Sequence, residues 1–284
     1  MMSQPQLPAG VGLTAISVAR ERSVETERTD RLFQDEFAGA FCAAARRAAA
    51  GKSFPGLDST LGNSVPMLRG YIALRTRYFD DQVLAACATG CRQVVALAAG
   101  LDARAFRLTW PQGVRYFELD STEMHAFKRR VLETRGAQPQ CERRTVAADL
   151  RADWPSALVS AGFSREAPTA WLLEGLLIYF TNEENDRLLS TIGQLSARGS
   201  QMTLEHADNQ VLKQPVIAEI GSRTLAPEGV FYKSSVGDPL GWLKGHGWHP
   251  WVLDPVTYSS SLGRPVPPLL GGASGRLWLA RATR

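Results

Sequence analysis

The sequence lacks any stretch of about 18 apolar residues, the minimum expected of a helix that crosses a bilayer, although 44% of its 284 residues are hydrophobic. No transmembrane helix is therefore predicted. The first residues, MMSQPQLPAGVGLT, also lack the basic segment followed by an apolar one that marks a secretory signal peptide. We expect a cytoplasmic protein that neither spans nor binds a membrane.

Cysteine is scarce, and no two cysteines have the CxxC spacing of a redox or zinc motif. Cys87 and Cys91 stand one helical turn apart in an apolar stretch, so we interpret the cysteines as reduced packing residues. His246 and His249 bracket a Gly-Trp pair without an acid or thiol nearby in the sequence. Because zinc is bound by sets of such side chains at short spacing, no metal site is expected.

Neither sign of charge is in excess, since 32 Lys and Arg stand against 28 Asp and Glu and the net charge of +4 is spread along the chain. Several arginines lie beside acids, as in Arg20-Glu21-Arg22. Proteins that bind nucleic acids instead gather basic residues into a patch that follows the phosphates. The pattern is typical of solvated helix faces, and no nucleic-acid partner is expected.

Two kinds of pattern divide the chain. Apolar residues recur at helical spacing over residues 14–50 and 65–91, which predicts an N-terminal helical cover at 1–91. From residue 92 onward, short apolar runs alternate with helical segments, as in a parallel sheet covered by helices on both faces. We predict a Rossmann-like core at 92–284, with an insertion at about 208–247 that covers the substrate.

The predicted sheet has seven strands, of which the first five suit a parallel arrangement. The last two are joined by a Pro/Gly/Ser-rich loop and suit an antiparallel pair at one edge. The predicted strands are 94–100, 114–120, 144–150, 170–180, 201–207, 248–254 and 276–283, and the helices among the first five are 121–135, 153–161 and 183–197. The fold class is therefore α/β, with a mostly parallel, doubly wound sheet.

Ligands of open α/β sheets bind beyond the carboxyl ends of the strands, so residues at those ends are candidates for the site. The first strand ends in a small turn, Ala98-Ala99-Gly100, where Gly100 can adopt a positive φ and a cofactor can approach the backbone. The second ends at Asp120, about twenty residues further on, where a carboxylate can accept both hydroxyls of a ribose. This spacing favours a nucleoside cofactor.

The third and fourth strands also end near acids. Asp149 and Leu150 suit an adenine ring, whose amine donates and whose face stacks, although Asp149 could instead cap the next helix. Glu174 lies in an otherwise apolar run, where an unpaired carboxylate would be costly. Its predicted partner is a cation, either the ammonium group of a cofactor or a guanidinium such as that of Arg75.

The turn after the first strand also bears on the kind of cofactor. A dinucleotide needs three spaced glycines so that its pyrophosphate can approach a helix N-terminus. This turn offers only Gly100 and places Asp102 where a phosphate would be repelled. A cofactor without phosphate is favoured, and a nicotinamide-dependent oxidoreductase remains the alternative.

At these residues the sequence resembles the leucine carboxyl methyltransferase family, in particular its bacterial branch of S-adenosylmethionine-dependent O-methyltransferases that includes polyketide carboxyl methyltransferases. The resemblance extends from about Gly10 to the C-terminus. The segments that carry it most clearly are VVALAAGLDARAFRL, YFELDSTEMHAFKR, DLRADWPSAL and TAWLLEGLLIYFTNEENDRLL. Two further matching segments are VGLTAISVARERSVETERTDRLFQDEFA and RTRYFDD.

The resemblance implies a class I methyltransferase fold with S-adenosylmethionine as its cofactor. The residues implied to hold it are Arg75 at the cofactor carboxylate, Ala98 to Gly100 beneath the amino-acid moiety, Asp120 at the ribose, Asp149 and Leu150 at the adenine, and Glu174 near the ammonium group. Two positions depart from the family pattern. Its usual Gly-Ala-Gly turn is Ala98-Ala99-Gly100 here, and its usual Asp-Pro pair is Asp35-Glu36.

The sulfonium of this cofactor makes its methyl carbon electrophilic, so the protein must mainly align a nucleophilic oxygen and exclude water. A carboxylate needs no base for this reaction, whereas a hydroxyl would benefit from one. The candidate bases are His206, at the end of the fifth strand, and then Tyr179, although either could simply orient the substrate.

The predicted activity is methyl transfer to a carboxylate or hydroxyl of a small molecule, such as a secondary metabolite, by a monomer or homodimer. A related protein that binds the cofactor without transferring its methyl group remains a further alternative.

Overall fold

The computed structural model describes residues 12–49, 70–212, 233–267, 270 and 277–284. Among these residues, the sheet is preceded by α1 (Gly12–Thr26), α2 (Ala38–Ala49) and α3 (Tyr71–Ala88). The predicted helical stretch 14–50 thus contains two helices rather than one. The second begins where it does because Asp35 Oδ1 accepts the backbone N–H groups of Phe37 and Ala38, both at 3.1 Å.

Strands and helices alternate from residue 93 onward. The strands are β1 (Gln93–Leu97), β2 (Arg115–Asp120), β3 (Glu142–Ala147), β4 (Thr169–Leu173), β5 (Gln201–Ala207), β6 (His249–Leu253) and β7 (Leu277–Thr283). The helices are α4 (Arg104–Arg107), α5 (Thr122–Thr134), α6 (Trp154–Ser160), α7 (Asn182–Gln194), α8 (Asn209–Leu212), α9 (Pro239–Gly245) and α10 (Pro255–Ser261), with a 3-10 helix at Leu177–Tyr179.

The strands form one sheet in the order β3-β2-β1-β4-β5-β7-β6. The first five pair in parallel, and β7 lies antiparallel between β5 and β6. The predicted α/β class is confirmed, with its mostly parallel seven-stranded sheet and antiparallel edge. Because the strand order reverses beside β1, the carboxyl ends of β1 and β4 border the crevice where such sheets bind ligands.

Alternate residues of β1 face two different hydrophobic layers. Val94 packs in a buried cluster with Ile16 of α1 and Phe79 of α3, whereas Val95 packs in a second cluster with Leu189 of α7. Burying a side chain of this size contributes about 1.5–3 kcal/mol, so both layers hold β1 firmly. The N-terminal helices share a core with the sheet, and the boundary at residue 91 stays a prediction.

Several predicted boundaries were wrong. The first strand ends at Leu97, and the third is Glu142–Ala147 rather than 144–150. The fourth ends at Leu173 because the Gly175 N–H donates to Glu205 Oε1, at 2.7 Å, instead of to a neighbouring strand. The loop predicted before the last strand contains α10, which Pro255 begins and the Asp254 side chain caps. In the predicted insertion, residues 213–232 lie outside the described residues.

Among the helices that the structure describes, none combines the length and apolar character needed to cross a bilayer.

Candidate active site

The turn after β1 lies against the end of β2. The Gly100 N–H donates to Asp120 Oδ2 at 2.7 Å, and the Ala99 N–H donates to the Leu119 carbonyl at 2.9 Å. Gly100 has the positive φ expected from the sequence, 51°. A Cβ at Gly100 would lie 3.3 Å from that of Ala15 in α1, so only a residue without a side chain fits here comfortably.

Ala98 also has a φ of 51°, and among the described residues it is the one non-glycine residue in the left-handed region. An L-amino acid pays about 1–2 kcal/mol for that conformation. Its side chain is exposed, so no packing contact compensates for the strain. Backbone strain of this kind concentrates at functional sites, which fits a turn at the carboxyl end of β1.

The ends of β2 and β3 adjoin each other, since the Ala148 N–H donates to the Asp120 carbonyl at 3.0 Å. Asp149 is exposed, and its Oδ1 accepts the Arg151 N–H at 2.9 Å. The helix cap that the sequence left open for Asp149 is supplied by Asp153, which accepts the Ser156 N–H. The Asp149 carboxylate is therefore not needed to cap α6, and Leu150 beside it is half-buried.

Arg151 links the loop after β3 to the segment after β4. Its Nε donates to Glu184 Oε1 at 2.9 Å, and its Nη2 donates to the Tyr179 carbonyl at 3.1 Å. Its guanidinium carbon lies 4.2 Å from the ring centre of Phe180. The ends of β1, β2, β3 and β4 are thus connected by direct contacts along one edge of the sheet.

Glu174 is paired with two guanidinium groups. Its Oε1 lies 3.0 Å from Arg75 Nε, and its Oε2 lies 2.7 Å from Arg104 Nη1. Burial alone would raise the pKa of Glu174, but Arg104 and Arg75 outweigh burial and lower it. Of the two partners that the sequence left open, the structure shows the guanidinium, from Arg75 and also from Arg104.

Glu205 of β5 belongs to the same cluster, although it was not among the residues predicted from the sequence. Its Oε1 accepts from Arg75 Nη1 at 2.8 Å and from the Gly175 N–H, and its Oε2 accepts from the Tyr71 hydroxyl. An acid near the end of a predicted strand was the available signal, but at this strand the neighbouring His206 was predicted as a site residue instead.

The ion pairs continue from Glu174 into the core. Arg104 also binds Asp102 and Asp80, at 2.8 and 2.7 Å, and Arg107 binds Asp80 at 2.7 Å. The Tyr116 hydroxyl donates to Asp102 Oδ2 at 2.9 Å. A continuous buried network of charged groups therefore joins α3 and α4 to the ends of β4 and β5.

His206 lies on the opposite face of β5 from Glu205 and is 1% exposed. Its Nε2 lies 3.2 Å from Ser234 Oγ, and its ring packs against Trp242 and Trp278. Burial lowers its pKa to about 4, so the imidazole is neutral near pH 7. The structure does not bring His206 to the Glu174 cluster. Its catalytic role stays a prediction, and this placement weighs against it.

Tyr179 ends the 3-10 helix that follows β4 and is half-buried. Its hydroxyl hydrogen-bonds with Thr14 of α1, and both Arg75 and Glu205 act on it electrostatically. Burial raises the pKa of Tyr179, so the phenol keeps its proton near pH 7 and suits a hydrogen-bonding role better than that of a base. A part in catalysis stays a prediction.

Helix α1 covers this edge of the sheet. Arg22 Nη2 donates to the Leu101 carbonyl at 2.5 Å, while its Nε binds Asp35 Oδ2 at 2.9 Å. Together with Ala15 against Gly100 and Thr14 at Tyr179, these contacts connect α1 to the segments after β1 and β4. The helical cover therefore restricts access of solvent to the strand ends.

Comparison with known proteins identifies the family. A family model described as leucine carboxyl methyltransferase matches residues 15–193. The chain belongs to the leucine carboxyl methyltransferase family. Two relatives named as S-adenosyl-L-methionine-dependent methyltransferases match most of its length. One, from Parafrankia sp., is 45% identical over 91% of this chain and 83% of its own. The other, from Streptomyces coelicolor, is 39% identical over 98% of this chain and 96% of its own.

Solved structures share the fold of this methyltransferase at low sequence identity. A DUF574 family protein from Streptomyces avermitilis has a TM-score of 0.60 at 12% identity and covers 94% of this chain and 96% of its own. A methyltransferase structure from Thermobifida fusca has a TM-score of 0.56 at 16% identity and covers 94% of each chain. The fold is that of class I methyltransferases.

The enzyme is a methyltransferase that uses S-adenosylmethionine, the cofactor for which its relatives are named. The nicotinamide alternative therefore finds no support. The residues at the strand ends fit the cofactor, because the carboxylates of half-buried Asp120 and exposed Asp149 can accept hydrogen bonds from hydroxyl and amine groups. The individual contacts of all the predicted cofactor residues stay predictions: Arg75, Ala98, Gly100, Asp120, Asp149, Leu150 and Glu174.

Proposed function

We propose that this methyltransferase transfers a methyl group to an oxygen of a small molecule, a carboxylate in preference to a hydroxyl, and that its substrate is a secondary metabolite. We further propose that it acts in the cytoplasm as a monomer or homodimer, without a nucleic-acid or membrane partner. The dispersed charge of the sequence supports the absence of a nucleic-acid partner.

In this proposal the residues at the strand ends hold the cofactor. Asp120 would accept the ribose hydroxyls, while Asp149 and Leu150 would flank the adenine, and Glu174 would face the ammonium group. When bound, S-adenosylmethionine supplies an electrophilic methyl carbon. Helix α1 would shield from water the part of this edge that it covers, and the Tyr179 hydroxyl would orient an acceptor oxygen through a hydrogen bond.

The preference for a carboxylate rests on the state of the two candidate bases. His206 is buried against Trp242 and Trp278 on the other face of β5, and Tyr179 keeps its proton because burial raises its pKa. An alcohol or phenol would have to lose a proton to a base, whereas a carboxylate is already ionised at neutral pH. Neither of these two side chains is poised to accept a proton, and this favours the carboxylate.

The test uses matched pairs of acceptors. The enzyme is incubated with S-adenosylmethionine labelled with deuterium in its methyl group, together with carboxylic acids and the phenols or alcohols of the same carbon skeleton. We expect mass spectrometry to find one labelled methyl on the acids, with a higher kcat/KM than on the matched hydroxyl compounds. Mild alkali then separates the two products chemically, because a methyl ester is hydrolysed and a methyl ether is not. Transfer to nitrogen or carbon only would contradict the proposal.

The cofactor assignment has its own control. Asp120→Ala is expected to abolish binding of S-adenosylmethionine in calorimetry, because the Ala98 to Gly100 turn offers no substitute carboxylate. Asp153→Ala removes a nearby exposed acid that only caps α6, so it should cost about 1 kcal/mol of stability and leave the affinity unchanged. Equal affinities in both variants would count against the site.

A further inference from the structure

Three donors from different parts of the chain converge on Glu205. Arg75 Nη1 and the Gly175 N–H donate to Oε1 at 2.8 and 2.7 Å, and the Tyr71 hydroxyl donates to Oε2. Because all three neighbours donate, the geometry suits an ionised carboxylate that carries no proton of its own. Burial raises the pKa of Glu205, whereas Arg75 and the hydrogen bonds from Tyr71 and Gly175 oppose this rise and favour the ionised form. On this hydrogen-bond geometry Glu205 is a buried negative charge on the strand next to that of Glu174.

Glu205 orients two parts of the predicted cofactor site. Gly175 directly follows Glu174, so the hydrogen bond from its N–H fixes the turn that carries Glu174. Arg75 is held on one side by Glu205 and on the other by Glu174, at 2.8 and 3.0 Å. Its remaining terminal nitrogen, Nη2, has no hydrogen-bond partner within the described residues. The orientation of that nitrogen therefore depends on Glu205.

Among the residues that the structure describes, negative charge is in surplus at this end of the network. The carboxylates are Asp80, Asp102, Glu174 and Glu205, and the guanidinium groups that bind them are Arg75, Arg104 and Arg107. Arg22 also interacts electrostatically with Glu174 but is paired with Asp35. Lys128 and Arg143 share Glu118, and Lys128 also interacts with Asp102, so their excess positive charge balances the Asp102 end of the network and the surplus negative charge lies at Glu174 and Glu205.

We propose that Glu205 is a positioning residue that makes the cofactor site selective for charge, favouring S-adenosylmethionine over its product S-adenosylhomocysteine. The inference rests on the proposed placement of the cofactor at these strand ends. During transfer the bond between sulfur and the methyl carbon breaks, its electron pair stays on sulfur, and the acceptor oxygen forms the new bond. The ligand thereby falls from a net charge of +1 to zero. A surplus negative charge in surroundings of low dielectric attracts the first form and not the second.

The experiment compares two ligands rather than one. Calorimetry without an acceptor gives the dissociation constants of S-adenosylmethionine and S-adenosylhomocysteine for the wild type and for Glu205→Gln, which keeps the shape of the side chain and removes its charge. We expect the variant to bind S-adenosylmethionine roughly ten-fold more weakly, while its affinity for S-adenosylhomocysteine changes by less than about two-fold. Sinefungin, whose ammonium group stands in for the sulfonium, should follow S-adenosylmethionine.

Tyr71→Phe is the matched control. It removes one hydrogen bond to Glu205 but keeps the charge, so the ratio of the two dissociation constants should stay at the wild-type value. A Glu205→Gln variant that weakens both ligands equally, or neither, overturns the inference and shows a merely structural role. If that variant does not fold, Glu205→Asp replaces it. Because Asp keeps the charge, a changed ratio in Glu205→Asp would also overturn the inference, and an unchanged one supports it.

The two proposals fail in different ways. If Asp120→Ala binds S-adenosylmethionine as tightly as the wild type does, the placement of the cofactor is wrong. If the wild type binds S-adenosylmethionine and S-adenosylhomocysteine and the ratio does not respond to Glu205→Gln, only the charge selectivity is wrong. Neither result depends on the acceptor, because no methyl group is transferred in the measurement.

Discussion

Glu205 and His206 are neighbours on β5, and they show two different ways of burying a polar side chain. Glu205 lies on the face covered by α3, where a guanidinium, a backbone N–H and a phenol donate to it. His206 lies on the other face between Trp242 and Trp278, with one hydroxyl beside its Nε2. On the first face hydrogen-bond donors surround an ionised carboxylate, whereas on the second face burial keeps the imidazole neutral. A charged cofactor is accordingly better matched to the first face.

The strongest test of this contrast removes the cation from the charged face. Arg75→Met leaves Glu174 and Glu205 without their shared partner, and breaking a buried ion pair from one side costs about 3–5 kcal/mol. We expect urea unfolding of the cofactor-free protein to show a loss of that size. Arg77→Met is the control on the same helix, because the side chains of the Arg77–Asp81 pair are 38% and 42% exposed and the pair should contribute less than about 1 kcal/mol. Similar losses in the two variants would show that the buried ion pairs of Arg75 contribute no more to stability than the Arg77–Asp81 pair does.

The burial of neutral His206 should make the stability of the folded protein depend on pH. The pKa of His206 is lowered by burial from 6.5 to about 4, so between these values the unfolded chain binds a proton that the folded protein does not. The stability that depends on neutral His206 is therefore present above pH 6.5 and is lost as the pH falls, by about 3 kcal/mol near pH 4.

His206→Asn isolates this contribution, because the amide does not titrate. Unfolding measured from pH 7 to pH 4 should fall less steeply in this variant than in the wild type. His249→Asn, at an exposed position of β6, serves as the control that keeps the wild-type slope. If His206→Asn instead lowers kcat far more than stability, the acid–base role expected from the sequence gains support over the structural one.

The smallest effects per hydrogen bond compare the two faces. Tyr71→Phe removes one donor to the Glu205 carboxylate and should cost about 2 kcal/mol. Ser234→Ala removes the hydroxyl that contacts His206 Nε2, the Leu177 carbonyl and Asn185 Nδ2, and each of these neutral bonds should contribute about 1 kcal/mol. Denaturant midpoints of the two variants give the comparison. A loss per hydrogen bond that is larger in Ser234→Ala than in Tyr71→Phe would reverse the proposed ranking of the faces.

Most of the sheet could be predicted because the strands β1, β2, β4 and β5 are buried on both faces and the parallel strands alternate with helices. The acids at the ends of β2, β3 and β4 could also be anticipated, since the carboxyl ends of parallel strands meet at one edge. Asp120 and Gly100 do meet there, at 2.7 Å. These features follow from local pattern and from strand order, both of which are visible in the sequence.

What the sequence could not show depends on contacts between distant segments. Glu205 acquires its position from Tyr71 and Arg75, which come more than a hundred residues earlier. The position where β4 ends depends on Gly175, because its N–H donates a hydrogen bond to that same carboxylate rather than to a neighbouring strand. Helix α10 had a local signal in Asp254 and Pro255, but the surrounding serines and glycines resembled a loop.

Ala98 couples the stability of the fold to the shape of the ligand cleft. Glycine in its place would relieve about 1–2 kcal/mol of left-handed strain, and the greater freedom of the unfolded chain would cancel about 0.5–1 kcal/mol of that gain. The single methyl group that causes the strain is also the part of the turn that projects to solvent at the strand ends. A glycine introduced here to raise the heat resistance of the enzyme would therefore also change the shape of the predicted cofactor site.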